Sequence, residues 1–251
     1  MHTTISQNNP YSYSRYGFAW EHVPYGSEAH LDFGCFDGKF LNKLKVKNVK
    51  RLVGVDINQD AVEKGHQRSP DLEIKHISKT LPIFFGDGVF SSITVLDVVE
   101  HVYEQKFLLR ELNRVLKKNG KLIITVPGQH LFSFLDIGNF KFIFPRLHRW
   151  YYCILHSSEE YKYHYVSNPY GLVGDVSVLK RWHEHFSREK LKRLLEETGF
   201  SIIDFDGTGF FSRIINIFSL IKPLRSALSR IRQLDAKLFE SSNLFCLAEK
   251  C

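Results

Sequence analysis

Five short apolar runs separated by longer mixed segments fill residues 29 to 127, and no other feature restricts the fold as strongly. The runs are Ala29–Phe33, Arg51–Asp56, Leu72–Ile77, Ser91–Leu96 and Lys121–Val126. Runs this short between long mixed segments read as strands of a sheet covered on both faces, with the intervening segments as crossover helices. The clearest helix is Gln105–Lys117, whose Phe107, Leu108, Glu111, Leu112, Val115 and Leu116 fall on one largely apolar face; Asn119-Gly120 is expected to end it. The pattern predicts an α/β fold with a parallel sheet.

A length of 251 residues suits one domain over 1–251 with appendages rather than two full domains. The periodicity fails over residues 128–182, where much of the 14% aromatic content gathers in "FSFLDIGNFKFIFPRLHRWYYCILH" and "EEYKYHYVSNPYG". A linker would be polar and poor in rings, so this stretch reads as an aromatic cap insertion. Order returns at Ser187, an N-cap for a helix with Leu191, Leu194 and Leu195 inward and Gly199 at its end, followed by strands at Phe200–Phe205 and Asn243–Ala248. Between those strands residues 208–240 form an amphipathic basic helical insertion. Its apolar residues, among them Ile217, Leu224, Leu228, Ile231 and Leu234, recur at three- and four-residue steps beside Arg213, Lys222, Arg225, Arg230, Arg232 and Lys237.

The first run leads into "HLDFGCFDGKF", a strand ending in Asp32, a turn with Gly34 and Gly38, and a helix from about Lys39. Glycines there let backbone approach a ligand, and the helix N-terminus carries partial positive charge. Asp56, at the end of the second run "RLVGVD", supplies a carboxylate suited to accept from ribose hydroxyls.

On these residues the chain resembles the class I S-adenosylmethionine-dependent methyltransferases. The motifs "LDFGCFDG", "VGVDI", "LPIFFGDGVFSSITVLDVVEHV" and "LNRVLKKNGKLIITVP" run in that family's order and, with "HEHFSREKLKRLLEETGF", cover most of residues 29 to 205. The resemblance implies a Rossmann-like seven-stranded sheet, mostly parallel with the last strand antiparallel, and S-adenosylmethionine as cofactor. In that mapping Asp32, Gly34, Phe36 and Gly38 face the methionine part, Asp56 holds the ribose, Ile57 packs on adenine, and Leu96-Asp97 closes the site beside the sulfonium. Two departures stand out. Phe36 occupies the family's middle glycine, and His76-Ile77-Ser78 stands where many relatives carry an acid toward the adenine amino group, leaving Ser78 as a substitute contact.

Methyl transfer needs the acceptor aligned in line and, for a hydroxyl, deprotonated, a task that suits histidine near neutral pH. The candidates are His101 in "DVVEHV" and the pair His183 and His185 in "RWHEHFS". Asp97, Glu100 and His101 on one helix face could also hold a divalent ion, similar to the acid-x-x-Glu-His motif of small-RNA 2′-O-methyltransferases and ubiquinone-pathway O-methyltransferases. Metal-free relatives carry the same residues, and no metal ligand is assigned.

The expected acceptor is a small or lipid-linked molecule, such as a sugar or quinone precursor, methylated on oxygen. Trp150, Tyr151, Tyr152, Tyr161 and Trp182 would stack on it, and Arg146, Arg149 and Lys162 would answer an anionic group. Basic amphipathic helices can lie in an anionic membrane interface, so a membrane surface is an expected partner. The net charge of +7 suggests an RNA methyltransferase as the alternative, though no RNA-binding motif is visible. A catalytically inactive S-adenosylmethionine-binding interaction protein is the other. Unpaired spacing of Cys35, Cys153, Cys246 and Cys251, with no signal peptide or spanning segment, points to a cytoplasmic protein, peripheral at the inner face of a membrane if the basic helices bind lipid. The oligomeric state stays open.

Overall fold

A computed structural model describes residues 6, 8–11, 14–78, 82–129, 144–162, 184–209, 211, 228, 231, 234–235 and 242–251. Seven strands make one sheet: β1 Ala29–Phe33, β2 Arg51–Asp56, β3 Glu73–His76, β4 Phe90–Leu96, β5 Leu116–Pro127, β6 Phe200–Thr208 and β7 Asn243–Lys250. Their order is β3-β2-β1-β4-β5-β7-β6; β1 to β5 are parallel neighbours, and β7 runs antiparallel to β5 and β6. The order reverses between β1 and β4, and in open α/β sheets a crevice forms at such a point.

Helices cover both faces because strand side chains alternate. Leu122, Ile124 and Val126 of β5 join the core that takes in Leu108 and Leu112 of α4 (Gln105–Val115) and Leu191 and Leu195 of α7 (Arg188–Glu196). Ile123 of β5 instead joins Phe18 and Trp20 of α1 (Arg15–His22), Leu41 of α2 (Lys39–Lys43) and Val62 of α3 (Gln59–Arg68). Side chains start these helices. Ser14 accepts from Gly17 N–H, Asn58 from Ala61 N–H and Ser187 from Lys190 N–H. Lys47 is wholly buried, donating to Val23 O at 2.8 Å and standing 4.1 Å and 4.2 Å from the Trp20 and Tyr25 ring centres, so it ties the turn after α2 to the end of α1.

The expected strands are all present, β5 to β7 longer than foreseen. The helix expected to reach Lys117 ends at Val115 instead, and Leu116 already pairs with Phe90. Asn119 and Gly120 therefore lie within β5, not at a helix end. Lys250 of β7 donates to Asn113 O and Leu116 O, supplying the partners that a glycine cap would otherwise provide. Gly120 is needed for packing, since a Cβ there would stand 2.7 Å from Leu116 Cγ and 2.8 Å from Lys117 O.

Within the cap, α5 (Pro145–Cys153) and α6 (Ser158–Lys162) meet through His148 Nδ1 and the Tyr161 hydroxyl at 3.1 Å. Most of residues 128–182, Trp182 among them, the site candidate His183, and most of residues 208–240 lie outside the described residues. Asp235, buried, accepts from Phe211 N–H at 3.1 Å and packs against Gly209, where a Cβ would stand 2.3 Å from its carboxyl carbon.

Gly54 in β2 packs so closely that a Cβ there would lie 2.6 Å from Cys35 Sγ. Gly54→Ala is expected to destabilise the protein by about 1–3 kcal/mol, the range for overpacking a filled core. Urea unfolding of the two proteins checks it.

Candidate active site

The loop after β1 takes left-handed backbone at alternate residues, with φ of 86° at Gly34, 50° at Phe36 and 68° at Gly38. Phe36 thus adopts the conformation natural to the glycine it replaces, at a cost of about 1–2 kcal/mol. Asp56 offsets that cost. Its Oδ2 accepts from Phe36 N–H at 2.7 Å and its Oδ1 from Asn58 N–H at 2.8 Å. Gly34 and Cys35 N–H both reach Val55 O, at 2.9 and 3.0 Å, so the whole turn hangs on the end of β2. Gly34 also admits Val98, whose Cγ2 would stand 2.4 Å from any Cβ.

A cavity of about 310 Å³ opens over this loop, lined by Asp32, Gly34, Phe36, Tyr11, Tyr16 and Leu96 among others. The Phe36 ring, 57% exposed, forms part of its rim. A second cavity of about 300 Å³ lies past the end of β2, among Val55, His76, Ile77, Ser78, Phe84 and Phe85. Ile57 stands between strand and helix there, its carbonyl accepting from His76 Nε2 at 3.2 Å.

The carboxylates are tuned by position. Asp32 is buried, which drives its pKa up to about 7; Thr94 Oγ1, donating at 2.8 Å, opposes the rise and the Asp56 charge adds to it. Burial also raises Asp56, against the backbone N–H donors of Asn58, Phe36 and Ile57. Burial pushes Asp37 up too, but the Arg68 and Lys39 hydrogen bonds outweigh it and hold that carboxyl below its usual range. Tyr11, pushed by burial up to about 12, closes the wall with stacked Tyr16 at 5.5 Å and Phe40 at 5.9 Å.

Asp97, with φ of 56°, does not turn toward His101. It accepts from Thr125 Oγ1 at 2.7 Å and pairs with Arg15 of α1. Burial works against the Arg15 charge, and the Asp97 carboxylate nevertheless raises its pKa. Sequence reasoning passed over Arg15, Tyr11 and Tyr16. The only signal was Ser14 as an N-cap ahead of an Arg-Tyr pair, which marks a helix without saying where it docks.

The expectation of one helix face carrying Asp97, Glu100 and His101 fails. Asp97 sits in a strand-end turn, while Glu100 and His101 lie in the 3₁₀ turn Val99–His101, with His101 Nε2 3.9 Å from the buried Glu100. Among the described residues no three His, Cys, Asp or Glu side chains are placed to hold a metal ion. His185 precedes Phe186, whose N–H donates to Pro127 O at the end of β5. Gln105 Nε2 donates both to Val99 O and to Glu184 Oε2, at 3.2 and 2.7 Å, joining the His101 turn to the segment of His185.

Comparison with known proteins bears on the family and the fold. The profile of the methyltransferase domain family matches residues 25–204. An uncharacterized 37.1 kDa protein in transposon TN4556 of Streptomyces fradiae is 31% identical over 106 residues, 40% of this chain and 30% of that protein. The ubiquinone biosynthesis O-methyltransferase of Coxiella burnetii is 25% identical over 171 residues, 59% of this chain and 73% of the relative. The crystal structure of a SAM-dependent methyltransferase from Methanosarcina mazei superposes with a TM-score of 0.58 at 16% identity, over 93% of this chain and 96% of that one.

An acid whose folded pKa is raised binds its proton more tightly folded than unfolded, so it costs stability as pH climbs from the unfolded pKa to the folded one. For Asp32 that window runs from about 4 to about 7. The stability of Asp32→Asn relative to the parent protein is expected to grow between about pH 4 and about pH 7 and to level off above that, measured by urea unfolding at each pH.

Proposed function

The chain belongs to the methyltransferase domain family and is an S-adenosylmethionine-dependent methyltransferase; from that premise we propose O-methylation of a small or lipid-linked acceptor, with a histidine taking the hydroxyl proton. One observation carries the cofactor half of this reading. The first cavity has Asp32 and Tyr16 on its wall, and Arg15 donates to the Tyr16 hydroxyl at 3.3 Å, so an acid and a cation stand where they suit the ammonium and carboxylate of an amino acid. Asp56 keeps lone-pair capacity beyond the backbone N–H groups it accepts from, available to a ribose hydroxyl. Ile57 and Ser78, with the walls of the second cavity, would take adenine, and Leu96-Asp97 would lie beside the sulfonium.

The bound cofactor supplies a methyl group already activated by positive sulfur. What is left to the protein is alignment and proton removal. Tyr11, Tyr16 and Phe40 wall the methionine end against water. His101 stands just past the end of β4, and the Gln105 bridge brings the His185 segment to the same end of the sheet. His101 is the proposed base and His185 its neighbour in the acceptor site.

The lipid-linked reading draws support from apolar side chains left in solvent. Phe144, Leu147, Tyr151 and Leu155 recur along one face of α5 and the turn after it, and Ile231 and Leu234 of the 208–240 insertion are about half exposed. Among the described residues no helix is long and apolar enough to cross a membrane, so contact would be interfacial. The similarity to a ubiquinone biosynthesis O-methyltransferase points the same way.

Asp56→Ala is expected to abolish S-adenosylmethionine binding in calorimetry, and Arg15→Ala to weaken it about tenfold or more, as loss of a charged hydrogen bond does. His101→Ala should leave cofactor affinity intact and lower kcat by about 10²–10⁴. Retained turnover would remove His101 as the base. Acceptors are sought by offering labelled cofactor with lipid, glycan and RNA extracts, and label in the RNA fraction would overturn the small-acceptor reading. Flotation with anionic vesicles checks the membrane contact, which protein left in the soluble fraction would contradict.

A further inference from the structure

On the sheet face turned toward α1, the two central strands carry polar side chains where a doubly covered sheet usually carries aliphatic ones. His30 and Asp32 alternate along β1, Ser92 and Thr94 along β4, and the register sets His30 opposite Ser92 and Asp32 opposite Thr94. All four are buried. They form one chain of hydrogen bonds: Ser92 Oγ to His30 Nδ1 at 2.8 Å, His30 Nε2 to Thr94 Oγ1 at 3.0 Å, and Thr94 Oγ1 to Asp32 Oδ1 at 2.8 Å.

Each hydroxyl has a single proton to give, so the chain has a direction. When Asp32 is ionised, Thr94 gives its proton to Oδ1 and accepts Nε2–H from His30. Nδ1 is then left as acceptor for the Ser92 hydroxyl. When Asp32 is protonated, all three bonds can reverse: Asp32 donates to Thr94, Thr94 to Nε2, and Nδ1–H to Ser92. The imidazole stays neutral in both arrangements, since burial and then the Lys47 charge push its pKa down to about 3. It cannot serve as a base, and no charge moves along the chain.

We propose that His30, with Ser92, is a positioning residue for the cofactor site, holding Asp32 ionised and oriented through Thr94 without touching any ligand. The proposal rests on the reading above in which Asp32 faces the ammonium of S-adenosylmethionine. A donor feeding the Thr94 oxygen polarises its hydroxyl and strengthens the bond it makes to the carboxylate. The other groups bearing on Asp32 do not supply this. Asp56 from β2 repels its charge, and Tyr11 of the N-terminal segment and Cys35 of the loop, both raised by burial, carry no positive charge. Lys47, on the turn after α2, acts on His30.

Two measurements test this. In protein labelled with ¹⁵N-histidine, the His30 resonances, assigned by their loss in His30→Gln, should report Nε2–H above the Asp32 midpoint and Nδ1–H below it. A tautomer constant between about pH 5 and pH 9, or a charged ring, would overturn the relay. Calorimetry with S-adenosylmethionine across the same pH range should show affinity rising as Asp32 ionises. His30→Leu should move that midpoint upward and weaken binding at pH 7 several-fold, roughly fivefold for a shift of one unit. His30→Gln, which keeps a donor toward Thr94, should restore most of the loss, whereas a packing role would not separate the two variants in this way. A folded His30→Leu with the parent profile would refute the proposal. Thr94→Val, which deletes the bond to Asp32 at nearly constant volume, gives the same readout should His30→Leu fail to fold. If the parent protein binds no S-adenosylmethionine at any pH, the cofactor reading fails, and the tautomer measurement still decides the relay by itself.

Discussion

The carboxylate of Asp56 holds the ends of β1 and β2 together as one surface. One oxygen fixes the turn after β1 through Phe36 N–H, and the other fixes the start of α3 through Asn58 N–H. With Val55 O taking Gly34 and Cys35 N–H, the first three donors of that turn are satisfied from the neighbouring strand. Two left-handed glycines and a left-handed phenylalanine become affordable in sequence because of this, and the cavity is the space such a turn leaves. Close contacts support it from below: Cys35 against Gly54, and Ile74 against Gly38.

The two faces of the central strands do different work. Ala29, Leu31, Phe33, Ile93 and Val95 give the face under α4 and α7 an ordinary aliphatic core. The opposite face exchanges part of that burial for the His30, Ser92, Thr94 and Asp32 chain, a continuous hydrogen-bonded polar network of the kind that fixes geometry more than it adds stability. Burying an acid beside the cavity raises its pKa, and the network is the local answer to that cost.

Strand positions and the loop were legible because their causes are local. Doubly buried strands show as apolar runs, and the turn shows as Gly34 and Gly38 with Asp56 one strand later. The end of α4 was not, because Lys250, far off in sequence, caps its carbonyls. The face carrying Asp97, Glu100 and His101 was misjudged for a related reason: three residues share a helix face only if a helix runs through them, and a left-handed Asp97 breaks it. Arg15 and Tyr11 escaped because their meaning depends on where α1 docks, which rests on Phe18 and Trp20 packing under the sheet. Phe36 looked like a departure from the cofactor-binding pattern, yet its backbone keeps the glycine conformation, so the substitution altered the rim of the cavity and left the path of the chain intact.

The Arg15–Asp97 ion pair bears on timing. Arg15 already has an anion in the resting protein, and Asp97 is also held by Thr125 from β5. In the function proposed above, an incoming carboxylate takes the guanidinium from a partner that is itself tethered, and on departure Asp97 is there to reclaim it. Entry and exit then become an exchange of partners, in which the partly exposed Arg15 guanidinium always has a carboxylate beside it.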